Sequence, residues 1–170
     1  MQLSFDMLST SETGAIFDKT QEYRYVLWRT WDQNAPRITF IMLNPSTANE
    51  FENDPTIRRC ISFAKQWGFG SLGVVNLFAY RATNPIEIYT VDDPIGKEND
   101  LHILRELEKT ELVILAWGTK GAYLNRDKNV LDMLSSFDLF AIDISKEGHP
   151  KHPLYLKGDS TPVRYRFAYV

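Results

Sequence analysis

Ile38-Thr39-Phe40-Ile41-Met42-Leu43-Asn44-Pro45-Ser46-Thr47 is the stretch on which the fold turns. Its first six residues are apolar except for Thr39, and the run is too short for an ordinary helix. Such a run predicts a strand covered on both faces, as in a parallel sheet. Asn-Pro-Ser then ends it with turn chemistry. Three similar runs follow: Leu72-Gly73-Val74-Val75-Asn76-Leu77, Leu112-Val113-Ile114-Leu115-Ala116-Trp117 and Leu139-Phe140-Ala141-Ile142-Asp143-Ile144.

Helical patterns lie between them. The first opens with Asp54-Pro55, a capping side chain followed by Pro at the first helical position, and ends at Gly68. Ile57, Cys60, Ile61 and Ala64 form its apolar stripe. A second is expected over about 97–109 with Leu101, Leu104 and Leu107 inward. A third is expected over about 121–135 with Leu124, Val130, Leu131 and Leu134 inward. Alternating strand and helix predicts a three-layer α/β/α fold with a mostly parallel central sheet. The aromatic run Tyr23-Arg24-Tyr25-Val26-Leu27-Trp28-Arg29-Thr30-Trp31 reads as a strand near a sheet edge. Leu3-Ser4-Phe5-Asp6-Met7-Leu8 reads as either a strand or a loose arm, so an antiparallel edge strand from the N-terminal region is open.

The 170 residues are 44% hydrophobic and 24% charged, which suits one domain with a proper core. The expected division is an arm or strand over 1–22, a core over 23–156 and a C-terminal segment over 157–170. The formal net charge of −3 argues against a broad grip on duplex phosphates and favours a local patch or a small ligand. The single cysteine, Cys60, excludes an internal disulfide and a cysteine-based zinc cluster. With no signal-peptide pattern and no membrane-length apolar run, the expected location is cytoplasmic, without membrane contact. Oligomeric state is not readable.

In parallel sheets, ligands bind beyond the carboxyl ends of the strands. Four polar clusters fall there: Asn44-Pro45-Ser46-Thr47, Asn76-Leu77-Phe78-Ala79-Tyr80-Arg81, Trp117-Gly118-Thr119-Lys120-Gly121 and Gly148-His149-Pro150-Lys151-His152-Pro153. Each alone also reads as a plain turn or strand end; together they point to a site. No phosphate-binding Gly-rich loop, no nucleophile elbow and no metal-ligand spacing among His102, His149 and His152 is present, so no metal or cofactor is implied.

The motifs Leu43-Asn44-Pro45-Ser46-Thr47-Ala48, Asp54-Pro55-Thr56-Ile57-Arg58-Arg59-Cys60, Trp67-Gly68-Phe69-Gly70, Asn76 to Thr83, Ala116-Trp117-Gly118 and His149 to Tyr155 resemble the bacterial and phage domain-of-unknown-function family 1643. That resemblance implies no activity. The order of motifs is also similar to the uracil-DNA glycosylase superfamily. There an Asp-Pro or Asn-Pro turn, an Asn ending a later strand, a strand ending in Trp-Gly and a His-Pro loop follow one another. This second resemblance implies that Asn44 positions an attacking water, Asn76 reads a base edge and His152 (or His149, by its own His-Pro pair) donates to the departing base. Ser46-Thr47 stand where the uracil-specific branch has an aromatic residue, and His-Pro-Leu replaces its His-Pro-Ser.

Around these, Ser46 and Trp117 are expected in the pocket, Phe51 or Phe78 to stack on a base, and Arg58, Arg59 and Arg81 to hold phosphates. Three functions compete. One is a glycosylase-like hydrolase acting on DNA (single-stranded, or with a flipped base) or on a nucleoside. Another is a module that binds a nucleotide or modified base without chemistry. The third is a phage or defence accessory protein working through protein contacts.

Overall fold

The computed structural model describes residues 12–166. The N-terminal stretch 3–8 lies outside them. Seven strands form one sheet: β1 (Glu12–Phe17), β2 (Arg24–Thr30), β3 (Arg37–Met42), β4 (Ser71–Asn76), β5 (Leu112–Leu115), β6 (Leu139–Ala141) and β7 (Val163–Arg164). Among the described residues three α-helices accompany them: α1 (Pro55–Gln66), α2 (Asn99–Leu107) and α3 (Arg126–Met133). The spatial order of the strands is β1-β2-β4-β3-β5-β6-β7.

The sheet is mixed, which corrects the expectation of a mostly parallel one. The four apolar runs form a parallel centre, β4-β3-β5-β6. Antiparallel pairings flank it: β1 on β2, β2 on β4 and β7 on β6. The aromatic strand β2 lies next to the edge, as expected, and β1 is an antiparallel edge strand from the N-terminal region. Glu12–Phe17 and the two-residue Val163–Arg164 take the two edges, where one unpaired side suits partly exposed residues.

Alternation along the central strands sends side chains to two cores. Phe40, Met42, Val74, Ile114 and Ala116 pack with Ile57, Cys60, Phe63 and Ala64 of α1. Ile41, Val75, Val113 and Leu115 pack with Ile103 and Leu107 of α2 and with Val130 and Leu131 of α3. Helices thus cover both faces, which is why the central strands read as continuous apolar runs. α1 begins as its sequence predicts: Asp54 accepts from the Ile57 N–H at 2.9 Å, and Pro55 follows.

Two helical expectations need correction. Leu107 is buried and Leu104 packs partly buried on the core, as expected, but Leu101 is exposed, and Asn99, Ile103 and Glu106 are the further inward residues of α2. The segment before α3 is a 3₁₀ turn over Lys120–Asn125, kinked where Leu124 and Asn125 take left-handed φ of 56° and 57°. Leu124 consequently points outward. Among the described residues, no helix is long and apolar enough to cross a membrane.

β3 and β4 run level, with Met42 beside Asn76, and Ile41 lies beside Leu115 of β5. From β3 the chain passes over one face through α1 to β4. From β5 it passes over the other face through α3 to β6. Where the connections diverge, the ends of β3, β4 and β5 leave a crevice.

Candidate functional site

A cavity of about 400 Å³ occupies that crevice, within the usual size of a small-molecule site. Asn44, Ser46, Asn76, Trp117 and His152 all line it. Residues separated by more than a hundred positions in the chain therefore share one wall, because β3, β4, β5 and the His-Pro loop all end there. The loop is held by backbone bonds: the Gly118 N–H donates to the Pro150 carbonyl at 2.7 Å, tying the Trp-Gly turn to it. Gly118 takes a φ of +76°, which a residue with a Cβ would resist.

Asn76 is only 1% exposed, and neither Nδ2 nor Oδ1 of its amide has a hydrogen-bond partner. Buried polar atoms are nearly always bonded, and leaving one bare costs about 1–3 kcal/mol. Its backbone is, by contrast, firmly held. Asn99 Nδ2, at the start of α2, donates to the carbonyls of Asn76 at 2.9 Å and Leu77 at 3.1 Å. Arg126 Nε, at the start of α3, donates to the Leu77 carbonyl at 2.7 Å. The strand end is clamped while its side chain is left with open donors and an open acceptor.

Asn44 is oriented by two carbonyls. Its Nδ2 donates to Pro45 O and Ala82 O, both at 2.9 Å. The amide oxygen, Oδ1, is thereby the group left to accept a hydrogen bond. His152 caps the 3₁₀ turn Pro153–Tyr155 by accepting the Leu154 N–H on Nδ1 at 3.3 Å. An accepting Nδ1 places the proton of the neutral ring on Nε2. Burial lowers the histidine's pKa, with the Asp54 carboxylate opposing the shift, so the ring is neutral at pH 7. His149 is not among the lining residues.

The other expected ligand contacts fall elsewhere. Phe51 is 83% exposed and does not line the cavity. Phe78 is fully buried in the core against Tyr123, so its ring is not free to stack on a base. Arg58 is exposed and donates to Asn53 O. Arg81 sits over Phe17 and donates to Gln21 O. Arg59 spends its donors on the carbonyls of Pro153 and Leu156 and lies over the Phe63 ring. It fastens α1 to the turn that His152 caps.

Arg24, Asp54 and Tyr155 are among the lining residues that went unrecognised as site residues in the sequence. Arg24 opens β2 and is 2% exposed. Nothing in the sequence separates it from Arg29, the other arginine of the same strand. Asp54 reads as a helix cap, and it is one. Its second oxygen also accepts the Ala48 N–H at 3.3 Å, closing the 48–54 loop beside the cavity. Tyr155 stands 85% exposed at the mouth, with its ring 5.7 Å from that of His152. Cys60 is buried in the α1 core, and burial pushes its thiol pKa up, so it is inert.

The model of a family described as "Protein of unknown function (DUF1643)" matches residues 24–154. No curated protein and no solved structure matches the chain.

Proposed function

Because the chain belongs to the DUF1643 family, whose description names no activity, its function has to be argued from the cavity, and we propose that it is a nucleobase N-glycosylase-like hydrolase. The observation that carries this reading is the buried, unpaired amide of Asn76 on the cavity wall. A carboxamide offers a donor and an acceptor side by side, the pattern a base edge complements. Helices on both faces of the sheet and the chain order Asn44, Asn76, Trp117, His152 support the likeness to uracil-DNA glycosylases, including their three-layer arrangement.

In this mechanism Asn76 holds the base. The bond from the sugar's anomeric carbon to the base nitrogen breaks, and its electron pair leaves with the base. Nε2–H of neutral His152 donates to the base oxygen that gains charge, stabilising the anion without surrendering a proton. Asn44 Oδ1 accepts a hydrogen bond from a water and aims its oxygen at the anomeric carbon. The new C–O bond forms there, and the water's proton passes through solvent to the departed base. Asn44 orients the water and cannot take its proton. Tyr155, exposed at the mouth, offers a face for stacking.

The test is release of free base from nucleosides and nucleotides, and abasic-site formation in single-stranded oligonucleotides carrying uracil, hypoxanthine or modified pyrimidines. His152→Ala should slow release by about 10²–10³-fold, the usual loss of one oxyanion donor. Asn44→Ala should also abolish it. Cleavage that survives both changes overturns the assignment. Saturable base binding without cleavage by wild type would mark a binding module instead.

A further inference from the structure

Three arginines are buried in this protein, and two of them are fully explained. Arg29 makes five hydrogen bonds, to Asn53 Oδ1 and to the carbonyls of Gly14, Trp28, Asn49 and Glu52. Arg126 pairs with Asp100 at 2.6 Å and with the Leu77 carbonyl. Arg24 is the exception. Its Nη1 donates to Ala48 O at 3.0 Å, and its buried Nε has no partner. Within the described residues no carboxylate forms a salt bridge with it.

A guanidinium removed from water needs its donors satisfied. Burial pushes Arg24 down to about 10, with Asp54 opposing the shift, so it remains a cation at neutral pH. Asp54 makes no hydrogen bond or salt bridge with it; its oxygens accept the Ile57 and Ala48 amides. Arg24 lines the same cavity as Asn76, as do Thr56 in the first turn of α1 and Lys120 at the rim. A helix N-terminus and a second cation both favour negative charge there.

We infer that Arg24 is the anion-binding residue of this cavity, and that the ligand carries a phosphate or carboxylate held by the Nε–Nη2 edge of the guanidinium. That edge presents two parallel N–H groups, the fork that matches a two-oxygen anion. The ligand is then a small anion of nucleoside monophosphate size, in keeping with a cavity of about 400 Å³ and an acidic chain. Its base half rests on the reading of Asn76 given above; its anionic half rests on Arg24, with the α1 N-terminus and Lys120 beside it, and not on Asn76.

Isothermal titration calorimetry with the full chain separates the two. The probes are the four ribonucleoside 5′-monophosphates against their nucleosides, uracil-6-carboxylate against uracil, and inorganic phosphate. At least one anion should bind about tenfold or more tightly than its neutral counterpart, as a bidentate charged contact allows. A response in the monophosphate pairs identifies phosphate, and one confined to the carboxylate pair identifies carboxylate. Arg24→Lys keeps the charge beside Asp54 and removes the fork, so the preference should fall below about threefold. Arg24→Gln should remove it altogether. Equal affinity within every pair overturns the inference, as does a preference that survives Arg24→Lys. Asn76→Leu should weaken neutral and charged members alike; failure there strikes the base-reading role and leaves the anion preference intact.

Discussion

Asn76 holds an amide that the protein itself does not use. Asn76→Leu, which keeps the branched four-atom shape and removes two bare polar atoms, should therefore stabilise the fold by about 1–3 kcal/mol while weakening ligand binding. Urea denaturation and calorimetry check both halves; a destabilised variant would give the amide a structural role. The same reasoning at His152 fixes a pH dependence. Burial lowers its pKa below the ordinary 6.5, and the neutral ring is the donor. A plot of kcat/KM against pH should be flat above about 6.5 and fall only on the acid side, below that value. An inflection above 6.5 would contradict a neutral donor.

At the scale of the elements, α1 and the turn after β5 set the cavity's shape. Asp54→Ala removes the α1 cap and the negative charge that favours the Arg24 cation, and should cost about 1 kcal/mol from the cap alone. Asp54→Ser keeps a capping oxygen and should recover that part only, as read by urea midpoint. Gly121 follows Trp117 closely in space: a Cβ there would lie 2.5 Å from Trp117 Cδ1 and 2.8 Å from Leu77 Cδ1. Both neighbours are buried, so neither can yield easily. Gly121→Ala should cost about 1–3 kcal/mol and weaken ligand binding by displacing the indole that lines the cavity. Unchanged binding would mean that the wall tolerates the shift.

The molecule as a whole should lose stability in mild acid. His102, stacked on Tyr25 with ring centroids 4.8 Å apart, has its pKa lowered by burial, as His152 does. Below the unfolded value near 6.5, the unfolded chain binds protons that the folded chain refuses. Stability is complete above that pH and falls as pH drops toward the folded values. The urea midpoint should fall between pH 7 and 5, and His102→Gln should make that fall shallower. A midpoint constant over this range would overturn the linkage.

Local chemistry decided the central strands and the start of α1, though not the inward face of α2 or the start of α3. Continuous apolar runs predicted strands covered on both faces, and Asp54-Pro55 predicted the opening of a helix. The turn at Asn44 was legible for the same reason, and so was its company with Asn76 and Trp117, because each stands at or just past the end of a parallel strand, and with His152 in the loop that follows the last of them. Strand partners were not legible. Apolar runs do not say which neighbour they pair with, so the antiparallel flanks appear only once the chain is packed. The fate of each arginine was equally hidden. Arg24, Arg29, Arg58, Arg59 and Arg81 are chemically alike in sequence. Tertiary contacts alone turned Arg29 and Arg59 into clips for backbone carbonyls and left Arg24 buried with an unpaired Nε against the cavity. Hydrogen-bond satisfaction depends on which carbonyls arrive nearby, and that is settled by the fold.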